Sequence, residues 1–348
     1  MTEPSDLRLP TDNICSAKIA GTGMYLPEKK ITNRELGKKM NYDVEDYLEE
    51  KGIGVRFQAG PEESTSDLAA EASSRALDDA GLSANDLDLI ILATDTPDYV
   101  TPPTSAILQH KLGAENAGSF DINAACTDET LGLAIGSQYI TLDQEIENVL
   151  VAGAYGMTKW LDWGDYSDST SKVLGMLFSD GGGAVVLSSS EQPGYLASNT
   201  LTEGEFWDAY GIYLGTANPP DREMVEKKEH YLRFHENEHH VPPDFNEDRW
   251  PKLIEETMDK VNAEVKDLDS VLFNQIDKST IEETMGRLDL DPSRTHLVMD
   301  KFGYAGSASV LMALHDALGE GKIGSGDLVA FCTSGAGFVM SVSLFRWI

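Results

Sequence analysis

The chain of 348 residues is 41% hydrophobic, enough to bury a core in one large α/β unit or in two domains sharing a long interface, and too much for wholesale disorder. Its 59 acidic residues outnumber 27 basic ones, giving a formal charge of −32, which disfavours nucleic acid and anionic membrane surfaces as partners because both bind through Lys and Arg. Three cysteines (Cys15, Cys126, Cys332) without a C-x-x-C pair or a His at ligand spacing exclude a disulfide framework and any obvious metal site.

The opening residues, MTEPSDLRLPTDN, have neither a basic n-region nor an apolar h-region, and no apolar run approaches the roughly 18 residues of a membrane helix. A cytoplasmic protein is expected. The acid is spread along the chain, not blocked into a tail. Self-repulsion at this charge weakens a compact state unless concentrated salt screens it. A halophilic, salt-rich cytoplasm is therefore the expected setting, with an acidic mesophilic enzyme as the other reading.

After a polar tail, Ile14–Leu26 reads as a strand ending in a Gly-Thr-Gly turn. From Ser66 to Leu82, Leu68, Ala69, Ala72, Ala76, Leu77 and Ala80 recur at helical spacing, with Ser66 or Asp67 as the cap. Leu87–Thr94 is a continuous apolar run, the mark of a strand buried on both faces. A helix over 104–112 and a short strand Ser119–Asn123 follow, then a helix of small residues from about Cys126 to Ile140. Asn148–Gly153 and Leu177–Ser188 supply further buried strands, the latter containing Ser-Asp-Gly-Gly-Gly.

The second half repeats this grammar. Asp86-Leu87-Asp88 leads into LIILATDT, and Asp267-Leu268-Asp269 leads into SVLFNQID, each after an amphipathic helix. The match implies a duplicated α/β unit, with halves at 14–195 and 196–348. An interval near 204–250 breaks the pattern and holds four of the seven histidines (His230, His235, His239, His240). Without ordered ligand spacing, it reads as a solvated insertion, with a metal site as the other reading.

Cys126 follows a buried strand and stands where a helix begins, after Ala124 and Ala125. A thiol there feels the positive end of the helix dipole, which favours thiolate, and nearby backbone N–H groups can hold an oxyanion. The bland alternative is a small packed hydrophobe.

The segments around it decide between these. In order they are Gly52-Ile53 followed by Arg56, the Leu68–Leu82 helix, LIILATDTPDYVTPPTSA, FDINAAC, FSDGGGAVVL, a strand ending in Asn274-Gln275, KFGYAGSAS, and SGAGF ending at Phe338. From about Ile14 to the C-terminus the chain resembles the β-ketoacyl-ACP synthase III family of the thiolase superfamily. The resemblance implies a thiolase fold: duplicated α/β halves in a five-layered αβαβα arrangement, with Cys126 the nucleophile of a homodimeric acyltransferase. Such a cysteine takes an acyl group from a CoA or acyl-carrier-protein thioester. A malonyl thioester is then decarboxylated and attacks that group. No cofactor is implied beyond these thioesters. The oxyanion hole implied is the N–H of Cys126 with one from the Gly335-Ala336-Gly337 turn, at Ala336. The loop holding Asp95, Asp98, Tyr99, Thr101 and Pro102 corresponds to one that gates the acyl tunnel across a dimer interface, with Thr101 and Pro102 at the gate.

Two catalytic positions depart from the family. Asn274-Gln275-Ile276-Asp277 stands where the family has His-Gln-Ala-Asn, and Gly303-Tyr304-Ala305 where it has Gly-Asn-Thr. Neutral Asn and Tyr donate hydrogen bonds to a thioester carbonyl or an enolate, but neither Asn274 nor a neutral Tyr304 replaces the histidine as a base. Asp128 and Glu129, directly after the nucleophile, read as dipole partners of a first helical turn or as a substitute base. Cys332 reads as a packed strand residue. Glu50 replaces a family arginine used in carrier recognition. A non-catalytic partner of a two-component synthase and a relative of hydroxymethylglutaryl-CoA synthase are the alternative readings.

Overall fold

The computed structural model describes residues 15–163, 169–234 and 241–348, so His235, His239 and His240 lie outside the described residues. Strands Ser16–Tyr25, Gly181–Ser190, Asn148–Tyr155, Leu89–Ala93 and Gly118–Ile122 lie side by side in that order, the last three parallel. Strands Ser270–Phe273, Leu328–Gly335, Val339–Arg346 and Tyr195–Thr202 form a second sheet, of which only the first pair is parallel. Helices Asp128–Leu142 and Ser309–Gly319 pack between the sheets. Thr65–Ala80 and Thr104–Leu112 cover the far face of the first sheet, Phe245–Asp259 and Lys278–Arg287 that of the second. This is the five-layered αβαβα arrangement.

The repeated Asp-Leu-Asp segments do the same work in both halves. Asp88 N–H donates to Asn148 O at 3.0 Å and its carboxylate accepts from Asn148 N at 2.9 Å. Asp269 N–H donates to Leu328 O at 2.9 Å and its carboxylate accepts from Leu328 N at 2.8 Å. Each aspartate thus fastens the start of one strand to its parallel neighbour. Every residue of Leu89–Ala93 and of Ser270–Phe273 is buried, as continuous apolar runs require.

Several expected boundaries move, for physical reasons. The Gly-Thr-Gly segment is no turn: the strand runs through it, and a Cβ at Gly23 would sit 2.3 Å from Ala72 O of the covering helix. That helix is capped by Ser64, in a capping box with Asp67, and not by Ser66 or Asp67. The expected Leu177–Ser188 strand begins at Gly181, because Ser169–Leu177 is a helix. The central helix carries small residues so that it can approach the sheet. A Cβ at Gly132 would meet Val151 Cγ1 at 2.8 Å. Arg56 is fully buried, with Nε donating to Met176 O at 2.6 Å and Nη1 to Asn33 Oδ1 at 2.9 Å.

Candidate active site

The strand Gly118–Ile122 delivers the chain to Cys126, and the helix starts two residues later, at Asp128, with Thr127 as its cap. Between them Ala125 takes a left-handed φ of 50°, unusual for a residue with a Cβ and costing about 1–2 kcal/mol. Asn123 Oδ1 accepts from Ala125 N at 3.1 Å and holds this bend. The bend sets Cys126 at the floor of a cavity of about 390 Å³, whose walls include Tyr155, Met157, Phe178, Tyr210, Leu232 and Ala336.

The second half closes on the sulfur from behind. Asn274 is the first residue past strand Ser270–Phe273, and its Nδ2 donates to Ser334 O at 3.0 Å and to Tyr304 Oη at 2.9 Å. Because the Tyr304 hydroxyl accepts from Asn274, its own proton is left for the Cys126 thiol, to which it is hydrogen-bonded. Tyr304 is itself held by Ser179 N–H donating to its carbonyl at 2.8 Å and by Phe178, with ring centroids 5.6 Å apart. Gly303, at φ 72°, is needed there: a Cβ would lie 2.7 Å from Val55 O. The Phe-Ser-Asp-Gly run therefore positions the tyrosine. Asp180 ties it down by accepting from Ala59 N, Thr158 N and Thr158 Oγ1.

The Gly335-Ala336-Gly337 turn rests on the backbone of Cys126. A Cβ at Gly335 would meet Ala124 O at 2.6 Å and Cys126 N at 2.8 Å, so only glycine lets Ala336 come this close. Cys126 and Ala336 both line the cavity. Tyr304 packs against Cys126 and Asn274 reaches it only through Tyr304; at 1% and 2% exposure neither is part of the cavity wall.

The helix dipole does not win at the thiol. Burial pushes Cys126 well above its ordinary value, helped by Asp95, Asp128 and Glu129, against the lowering bond from Tyr304. Burial also raises Tyr155, which bonds the same thiol, and Tyr304. Both stay neutral donors.

Asp128 and Glu129 point away from the cavity, into the seam with the second half. Asp128 Oδ2 accepts from Ser307 Oγ at 3.2 Å, and Glu129 Oε1 from Val310 N at 2.9 Å. Burial pushes both carboxyls well above the ordinary range. Thr101 and Pro102 are exposed on the loop beside Tyr99 and Val100, which are 62% and 97% exposed. Cys332 is fully buried in the strand Leu328–Gly335, packed in the core. The grouping His296, Asp316 and Glu320 is occupied by ammonium groups, Lys301 reaching both acids and Lys322 reaching His296 and Glu320.

Two features escaped sequence reasoning. The interval near 204–250, expected to be solvated, supplies Trp207, Tyr210, Gly211, Ile212, Tyr213 and Leu232 to the cavity wall. Its density of aromatic residues was the available signal. Asp95, assigned to a gating loop, also lines the cavity, and burial raises its carboxyl to about 7.

A buried cysteine on a strained bend, with a backbone turn packed against its N–H beside an apolar cavity, fits an acyl-transferring enzyme of the thiolase fold. Family profiles described as 3-oxoacyl-[acyl-carrier-protein (ACP)] synthase III and its C terminal match residues 120–204 and 258–347. The beta-ketoacyl-[acyl-carrier-protein] synthase III of Xylella fastidiosa is 34% identical over 336 residues, covering 95% of this chain and 98% of its own. That of Caldanaerobacter subterraneus subsp. tengcongensis is 36% identical over 346 residues, at 95% and 98% coverage. The 3-oxoacyl-[acyl-carrier-protein] synthase III from Aquifex aeolicus superposes with a TM-score of 0.82 at 30% identity, covering 95% of this chain and all of that one. A priming beta-ketosynthase of the R1128 polyketide pathway gives 0.85 at 26%, covering 98% and 99%. The chain belongs to the 3-oxoacyl-ACP synthase III family of acyltransferases.

Proposed function

We propose that Cys126 takes an acyl group from a CoA or carrier-protein thioester and passes it to carbon by a Claisen-type condensation with a malonyl thioester. The observation that carries this reading is the thiol at the floor of the cavity, with the Ala336 turn against its backbone N–H. In the first half-reaction the sulfur–acyl bond forms, the donor's carbon–sulfur bond breaks, and the thiol proton leaves with the departing thiol. The carbonyl oxygen takes up negative charge between the N–H groups of Cys126 and Ala336. Tyr304 holds its proton toward the sulfur, and Asn274 fixes Tyr304 in that direction. Malonyl decarboxylation releases CO₂ and leaves an enolate, which attacks the acyl carbon as Cys126 departs.

Two copies pairing through the Tyr99–Val100 loop account for apolar side chains left in water beside the cavity. A salt-rich cytoplasm suits the charge of −32, and no helix among the described residues is long and apolar enough to cross a membrane. The test is intact mass spectrometry after incubation in molar KCl with acetyl-, butyryl- and octanoyl-CoA. Wild type gains one acyl mass and Cys126→Ala gains none. Adding malonyl thioester to the adduct then releases CO₂. Absence of any adduct would overturn the reading in favour of a non-catalytic partner subunit.

A further inference from the structure

The site as described has a nucleophile and three sets of donors, but nothing yet that accepts its proton. Asn274 has no basic atom at neutral pH, and its Nδ2 already serves Ser334 and Tyr304. Tyr155 and Tyr304 are held neutral by burial. Asp128 and Glu129 face Ser307 and Val310 across the seam. Among the described residues that line the cavity, one carboxylate remains.

Topology places it there. Leu89–Ala93 and Gly118–Ile122 are neighbouring parallel strands, with Ala93 paired to Ile122, so their carboxyl ends open on the same edge of the sheet. Asp95 follows the first strand by two residues, and Cys126 follows the second by four. The loop carrying Asp95 is pinned on both sides. Thr94 N–H donates to Ile122 O at 3.1 Å, Thr96 Oγ1 accepts from Gly156 N at 2.9 Å, and Thr96 O accepts from Thr65 Oγ1 at 2.6 Å. Between these anchors Asp95 Oδ1 is buried without a hydrogen-bond partner. A buried carboxylate oxygen left unpartnered is costly. Asp128 Oδ1 and Glu129 Oε2 share that state, and of the three only Asp95 lines the cavity with Cys126. Of the charged groups acting on the Cys126 thiol, Asp95 acts most strongly, ahead of Asp128 and Glu129, and its field also reaches Asp128, Tyr155 and Tyr210.

We propose that Asp95 is the general base of this site: its carboxylate takes the Cys126 proton as sulfur attacks the thioester carbonyl, and returns that proton to the departing thiol. Charge conservation in a buried site is the physical reason. Ionising Cys126 beside an anionic Asp95 would put two negative charges in one apolar cavity. Passing the proton to Asp95 moves a single charge from oxygen to sulfur and creates none. A carboxyl raised to about 7 is half ionised at neutral pH, close to the optimum for a general base.

The inference rests on the acylation of Cys126, and the test separates the two. Asp95→Asn keeps shape and hydrogen bonding while deleting both the base and the negative charge. Two rates are measured on each protein in molar KCl at pH 8: acylation by the CoA thioester that labels wild type, and alkylation of Cys126 by iodoacetamide. A base predicts opposite signs. Alkylation rises because the thiolate is no longer opposed by an anion, while acylation falls by about 100- to 10,000-fold. Wild-type acylation climbs with pH through about 7, and this limb disappears in Asp95→Asn and persists in Asp95→Glu. If wild type acylates and Asp95→Asn acylates equally fast or faster, Asp95 is only a repulsive neighbour and the inference is overturned. If wild type does not acylate, it is the proposed function that fails. Iodoacetamide labelling of Asp95→Asn at Cys126 reports an assembled site. Should that variant not fold, the limb near 7 in wild type and its retention in Asp95→Glu decide, and their absence counts against the base.

Discussion

Replacing Tyr304 by Phe tests the donor chain beneath the sulfur. The tyrosine hydroxyl accepts from Asn274 Nδ2 at 2.9 Å and spends its single proton on Cys126. A hydrogen bond to a charged group contributes about 1.5–3 kcal/mol, and 1.36 kcal/mol corresponds to one pKa unit. Loss of the hydroxyl, the contact that lowers the thiol, should therefore raise it further. Asn274 would also be left with a buried N–H lacking its partner, costing about 1–3 kcal/mol of stability. The assay is iodoacetamide alkylation at a fixed pH below the thiol midpoint, where rate follows thiolate fraction. Tyr304→Phe should alkylate about 10- to 100-fold more slowly than wild type, with a lower melting temperature. Alkylation as fast as wild type, in a protein whose melting temperature has fallen, would show that Tyr304 supports Asn274 without acting on the sulfur.

The pH dependence of stability follows from acids whose folded values are raised. Asp95 rises to about 7 and Asp180 to about 6 from an ordinary 3.8, so between about pH 4 and 7 the folded chain holds protons that the unfolded chain releases. The stability these two groups contribute is full below pH 4 and lost as pH rises, by up to about 4 kcal/mol for Asp95 at 1.36 kcal/mol per unit. Melts at pH 5 and pH 8 in constant KCl should show Asp95→Asn more stable than wild type at pH 8, with the gap closing at pH 5; parallel curves would contradict the raised value. Lowering KCl from 1 M to 0.1 M lengthens the screening distance from about 3 to about 10 Å. At a charge of −32 this should lower the melting temperature, and an unchanged melt would remove the case for a salt-adapted protein.

The sequence made legible whatever repeats with a fixed period or sits in a short motif. The buried run before Cys126, the two Asp-Leu-Asp strand starts and the Gly335 turn are of this kind. What stayed hidden depends on direction. Asp128 and Glu129 look like site residues because they adjoin Cys126, yet the helix aims them into the seam. Asp95 lies 31 positions from Cys126 in sequence and reaches the cavity only because two parallel strands end together. Tyr210 and Leu232 belong to an interval with no periodicity, and their place in the wall follows from tertiary packing alone.

The duplication has a consequence for how this chemistry is divided. Aligned on their Asp-Leu-Asp starts, Asp95 and Ile276 occupy equivalent positions, and both lie against the Cys126 pocket, Ile276 within its apolar cluster. The first half supplies the sulfur and every carboxyl acting strongly on it, and the second supplies Asn274, Tyr304 and the Ala336 turn, which carry no charge. Two halves of like architecture thus meet as a charged jaw facing a neutral one. A change in the first jaw alters the charge at the sulfur, whereas a change in the second alters how that charge is met by neutral donors.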